Sequence, residues 1–190
     1  MQTVSMRQKI LKQATYLFVE KGYHAISMRE ISSACGITKA ALYYYFADKE
    51  ALFLAILEDY LNEMDGLIQE CSRKETNLRD RLLRFVQAIL AQPVEQRALT
   101  RLATQDFGQL TEQSQQVFGI TYQEKFIEPI TGWMRNAIQD AEIPEMDPRL
   151  ATWIFLGMLF PFFYPSQMRN LPDADESSIV GIFMDGVRKK

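Results

Sequence analysis

Residues 27–46 read SMREISSACGITKAALYYYF. Ser27 with Glu30 three positions later is a capping box, which starts a helix by satisfying its free amide groups reciprocally. Gly36 stops that helix, because glycine accepts the left-handed conformation a helix end demands. Thr38 then caps a second helix from Lys39 to about Phe46. Two short capped helices separated by Gly36, Ile37 and Thr38 make a helix-turn-helix, the arrangement whose second helix is offered to the major groove of DNA. At about 100° per residue, Ala41, Leu42, Tyr45 and Phe46 share one side of that helix and Lys39, Ala40, Tyr43 and Tyr44 the other. The first set is expected to pack on Ile31, Ile37 and a preceding helix, with Ala34 also buried. The second set is expected to face outward.

That outward face has a use against a duplex. Lysine donates to guanine acceptors or phosphate, alanine lets a helix approach base edges, and tyrosine hydroxyls reach phosphate oxygens. Backbone amides at the helix starts near Ser27, Thr38 and Lys49 add anion sites. Charge agrees in sign: residues 1–50 carry seven Lys and Arg against four Asp and Glu, whereas 51–190 carry fourteen against twenty. The first quarter is locally basic on an acidic body.

Working outward, the helical period continues and no alternating run lies between turn dipeptides, so the fold class is all-α with about nine helices. Ser5 with Gln8 caps a first helix that ends at Gly22 and buries Ile10, Ala14, Leu17 and Phe18. Asp48 caps a fourth over about 48–71. Further helices are expected over 78–91, 94–107, 111–141 with a kink or split at Pro129, 147–163 started by Asp147 and Pro148, and 175–187. The expected division is a helix-turn-helix domain at 1–50, with the fourth helix as connector, and a second helical domain at 51–190.

The run AISMREISSACGITKAALYYYFADKEALFLAIL, residues 25–57, strongly resembles the N-terminal DNA-binding domain of the TetR family of transcriptional regulators, over about residues 5–60. The resemblance implies phosphate contacts at Ser27, Thr38, Tyr43 and Lys49, approach to base edges at Lys39, Ala40 and Tyr44, and either role for Arg29. It also implies a C-terminal helical domain that binds a small-molecule effector and pairs two subunits as a homodimer on a roughly palindromic double-stranded operator. Apolar residues at Ile154, Met158 and Pro161, with Ile179, Phe183 and Val187 in the last helix, are expected at the dimer interface. Phe107, Phe118, Tyr122, Phe126, Trp133, Met134 and Phe163 are the expected lining of an effector pocket, which suits an apolar or aromatic ligand.

Other classes are poorly staffed. The sole histidine, His24, sits in the turn after the first helix, where it is read as a turn or phosphate-proximal residue. No Gly-x-Ser-x-Gly elbow, phosphate-binding glycine loop or His/Cys/Asp cluster at metal-ligand spacing occurs, so no catalytic residue, metal or cofactor is expected. Cys35 and Cys71 read as buried free thiols of a reducing compartment. MQTVSMRQKIL lacks the apolar core of a signal peptide, and the longest apolar run, Trp153 to Tyr164, is interrupted by Pro161 and too short for a membrane span. A cytoplasmic regulator, most simply a repressor, is the expectation. An activator with the same DNA-binding domain, or a helical protein-interaction module, is the alternative.

Overall fold

The computed structural model describes residues 5–163 and 175–187, without the side chains of Val94, Glu95, Arg101, Thr104, Gln105 and Phe163. Ten α-helices and no strand lie among these residues: α1 (Met6–Lys21), α2 (Met28–Cys35), α3 (Lys39–Tyr45), α4 (Lys49–Lys74), α5 (Leu78–Leu90), α6 (Val94–Gln105), α7 (Glu112–Tyr122), α8 (Glu128–Gln139), α9 (Pro148–Leu159) and α10 (Glu176–Val187). No helix among them is long and apolar enough to cross a membrane.

The caps act as their chemistry requires. The Ser5 hydroxyl accepts the Gln8 amide at 3.2 Å, while the Gln8 side chain accepts the Ser5 amide at 3.1 Å. An Asp147 carboxylate oxygen accepts the Arg149 amide at 2.8 Å, with Pro148 in the first turn where its missing N–H costs nothing. The helix expected over 111–141 is divided. A π turn, Gln123–Ile127, separates α7 from α8, and the Glu128 amide donates five residues back to Gln123 O. Proline follows at once, so the ladder loses its next donor beside a turn already underwound from the α pattern.

The chain forms two compact units, Met1–Tyr60 with Ala98–Gly119, and Leu61–Arg97 with Ile120–Lys190. In the first, Ile10, Leu11, Ala14 and Phe18 of α1 close on Ile31, Leu42, Phe46 and Phe53. Phe18 meets Phe53 edge to face at 5.6 Å, and Tyr23 lies 4.8 Å from Phe53. Leu11 takes the fully buried place expected of Leu17, which is half-buried, and Ala34 is exposed rather than buried. With only eight residues, α2 turns Met28, Ile31, Ser32 and Cys35 inward and leaves Ala34 on its open side.

The second unit is organised around Phe85, which meets Trp133 at 6.0 Å, Phe126 at 6.3 Å and Phe155 at 6.3 Å. Two hydrogen bonds join part-buried and buried polar side chains there. The Trp133 indole donates to Ser72 Oγ at 2.8 Å, and the hydroxyls of Thr131 and Thr152 meet at 3.1 Å. Cys35 and Cys71 are both buried free thiols.

Candidate nucleic-acid interface

Ser27 begins α2 with its hydroxyl doubly used. It accepts the Glu30 amide at 3.3 Å and donates to the Glu30 carboxylate at 2.7 Å, and that carboxylate also accepts the Ser27 amide at 2.9 Å. These bonds from Ser27, side chain first and backbone second, hold the Glu30 carboxyl below its ordinary range. At the other end Gly36 sits at φ +68°, in the left-handed region, and Ile37 N closes the turn onto Ser32 O at 3.0 Å. Thr38 Oγ1 accepts the Ala41 amide at 3.1 Å and so starts α3. The turn between the two helices is therefore set by short-range bonds, and α3 is anchored by Leu42 and Phe46.

Lys39, Ala40, Tyr43 and Tyr44 all lie on the exposed side. Tyr44 is 85% exposed and Tyr43 42% exposed, with the Lys39 ammonium 5.6 Å from the centre of the Tyr43 ring. Tyr45 does not join the core as expected: it is 38% exposed and meets Tyr44 edge to face at 5.4 Å. It falls about 60° around the helix from Leu42. In a helix of seven residues Leu42 and the following Phe46 already fill the inward sector.

His24, Ser27, Arg29, Lys39, Tyr43 and Lys49 line one open recess of about 450 Å³ between the α1–α2 turn and α3. Three of the six are permanent cations, and no carboxylate lines it. The Arg29 guanidinium and the Lys39 ammonium make no hydrogen bond to described residues, so both charges are available to an anion. Thr38 and Ala40 stand exposed beside them. Lys49 differs. Its ammonium donates to Tyr23 O at 3.0 Å and Ile26 O at 3.1 Å and lies 4.3 Å from the centre of the Tyr23 ring. Sequence reasoning had no signal for that arrangement, nor for Arg7, whose guanidinium lies 5.3 Å above the Phe46 ring.

The residues expected to line an effector pocket belong to both units. Phe107 and Phe118 pair at 5.6 Å in the first unit. Tyr122 stacks on Phe126 at 5.4 Å in the second, where Trp133 and Met134 are buried in the core around Phe85. The side chain of Phe163 lies outside the described residues, as does Tyr164 altogether.

Of the expected dimer residues, Ile179 and Phe183 are buried within a single chain, as neighbours of Phe155 and α5, and so belong first to its own core. Ile154 is 44% exposed, while Met158, Pro161 and Val187 are half-buried. Ile182, one position from Phe183, is 66% exposed, and Trp153 beside Ile154 is 49% exposed. Ile154, Met158, Ile182 and Val187 line one open apolar groove between α9 and α10.

The family model for bacterial regulatory proteins of the tetR family matches residues 10–56. The transcriptional activator FasR of Mycolicibacterium smegmatis is 35% identical over 82 residues, covering 43% of this chain and 37% of that protein. The transcriptional repressor AcnR of Corynebacterium efficiens is 36% identical over 67 residues, covering 35% and 36%. The match thus spans little more than a third of each of these relatives. Among solved structures, AibR in complex with isovaleryl coenzyme A and operator DNA aligns over 96% of this chain and 98% of that one, with a TM-score of 0.75 at 21% identity, a likeness of fold.

Proposed function

The chain belongs to the TetR family of bacterial regulatory proteins, and from that premise we propose that it is a ligand-responsive transcriptional regulator. In this reading it binds a roughly palindromic operator as a homodimer and acts as a repressor that a small apolar or aromatic molecule releases. The observation that carries the reading is the recess at the helix-turn-helix, where Arg29 and Lys39, two cations with no hydrogen bond to a described residue, stand with Tyr43 and the α2 start beside an exposed Tyr44. Lysine and arginine meet phosphates or guanine, and Tyr43 and Thr38 offer hydroxyls to the backbone. Ala40 leaves room for the helix to approach the base edges.

Pairing is supported by the apolar groove of α9 and α10, since exposed large side chains in one contiguous patch mark interaction surfaces. A two-fold pair sets its recognition helices about 34–36 Å apart, one turn of B-DNA, which is why the operator is expected to be palindromic. Repression is the simpler mode, and the two relatives named above include one activator and one repressor. The aromatic content of the second unit, and the isovaleryl coenzyme A held by AibR, favour an effector with an apolar portion. A regulator of this kind works in the cytoplasm, beside the chromosome.

The test is binding of the purified protein to duplexes from its own upstream region across a salt series. Log K is expected to fall steeply and linearly with log salt, because phosphate contacts release counterions. Binding that ignores salt, or none to any genomic fragment, sinks the reading. Selection that returns only single asymmetric half-sites removes the dimer from it.

A further inference from the structure

We infer that Lys49 is a positioning residue for the recess: its ammonium fastens the start of α4 to the α1–α2 turn, and so sets where Ser27 and Arg29 stand relative to α3, instead of meeting a phosphate itself. The inference rests on the reading of the recess as a DNA face. An ammonium has three N–H donors, and Lys49 directs two of them to Tyr23 O and Ile26 O. The Tyr23 ring covers another side at 4.3 Å.

The seat is rigid. Tyr23 is buried, with its ring 5.6 Å from Phe18 of α1 and 4.8 Å from Phe53 of α4. Ile26 is buried too and immediately precedes Ser27, the cap of α2. One cation therefore joins both carbonyls of a turn whose last residue starts the helix that carries Arg29. The contrast within the recess is direct, since among the described residues the Lys39 ammonium meets only the Tyr43 ring, at 5.6 Å. A charge-assisted bond to two converging carbonyls also depends on a compact ammonium, whereas a phosphate accepts lysine or arginine.

Four proteins separate the roles: wild type, Lys49→Met, Lys49→Arg and Lys39→Met. Each is titrated with an operator-bearing duplex from its own upstream region at several salt concentrations, well below its thermal midpoint. Lys39→Met is expected to lower the slope of log K against log salt by about 0.9, the loss of one phosphate contact. Lys49→Met is expected to bind about tenfold more weakly at every salt concentration with the slope kept within about 0.3 of wild type, and Lys49→Arg is expected not to restore affinity.

Two results overturn the inference. One is a slope lowered by about 0.9 in Lys49→Met with arginine restoring binding, which assigns Lys49 to a phosphate. The other is unchanged affinity with a lowered thermal midpoint, which makes the lysine a support of the fold alone. If Lys49→Met does not fold, Tyr23→Leu keeps the charge and removes the ring beneath it. It is expected to weaken binding at an unchanged slope, and full affinity overturns the inference. Salt-dependent binding by wild type stands apart from all of these outcomes, so failure of the DNA reading is recognised separately.

Discussion

Three consecutive tyrosines behave as three different residues. Tyr44 is almost wholly exposed, Tyr43 is half covered beside the Lys39 ammonium, and Tyr45 meets Tyr44 edge to face at the rim of the helix. Replacing Tyr43 with Phe removes one hydroxyl from the proposed phosphate face. Binding should weaken to a similar degree on every duplex, whereas Lys39→Ala should also relax sequence preference. Filter binding on matched and mismatched operators distinguishes the two, and equal relaxation by both variants defeats that division of roles. Cys71 makes a separate prediction. Burial pushes its thiol up to about 11, so almost none is thiolate near pH 8. The native protein should resist a maleimide at that pH and react once denatured. Labelling of Cys71 at the rate of a free thiol in the folded state contradicts the packing.

At the scale of the element, the helix-turn-helix is held by bonds that span three to five residues. Gly36 is the residue with least substitute, because its φ of +68° burdens any side chain, even though an added Cβ would meet nothing within 4 Å. Gly36→Ala should therefore cost about 1 kcal/mol from conformation alone, about 3 °C in thermal midpoint for a chain of this size. The Ser27–Glu30 box has a pH signature. Its carboxyl is lowered from an unfolded value of 4.5, so the stability it contributes is present above that pH and is lost as pH falls through the folded value. The same direction holds for Glu50, whose carboxylate is held down by the hydroxyls of Ser114 and Thr111. Thermal midpoints should drop on acidification below about pH 4.5, and Glu30→Gln should flatten part of that drop. An identical acid profile in the variant would show that the box contributes nothing.

For the whole molecule, the issue is which apolar surface remains after one chain has folded. Ile179 and Phe183 are buried within the chain, and the groove that Ile154, Met158, Ile182 and Val187 line together with Phe183 is the surface proposed for a partner. A double variant with Ile154→Glu and Ile182→Glu should keep its helical circular dichroism, sediment as a monomer and lose most operator affinity, because two linked half-sites bind far more tightly than one. A dimeric variant with intact affinity moves the interface elsewhere. The head unit carries a second consequence of long-range folding, because it recruits Ala98–Gly119. Within it Glu50 accepts the Thr111 hydroxyl at 2.7 Å, a link 61 residues apart in sequence.

Helix starts and stops at Ser5, Ser27, Gly36, Thr38 and Asp147 were legible from residue order, since a cap or a left-handed stop depends on neighbours a few positions away. The outward placing of Lys39, Ala40, Tyr43 and Tyr44 followed from helical period for the same reason. What sequence order could not reveal depends on partners distant along the chain. Tyr45 is left outside because the buried Leu42 and Phe46 fill the inward sector of α3. The second unit draws Ile179 and Phe183 inward, and the ammonium of Lys49 finds carbonyls 26 and 23 residues earlier. Local bonding chose where each helix begins and ends, and competition for buried space and for buried carbonyls chose which side chains were left to meet another molecule.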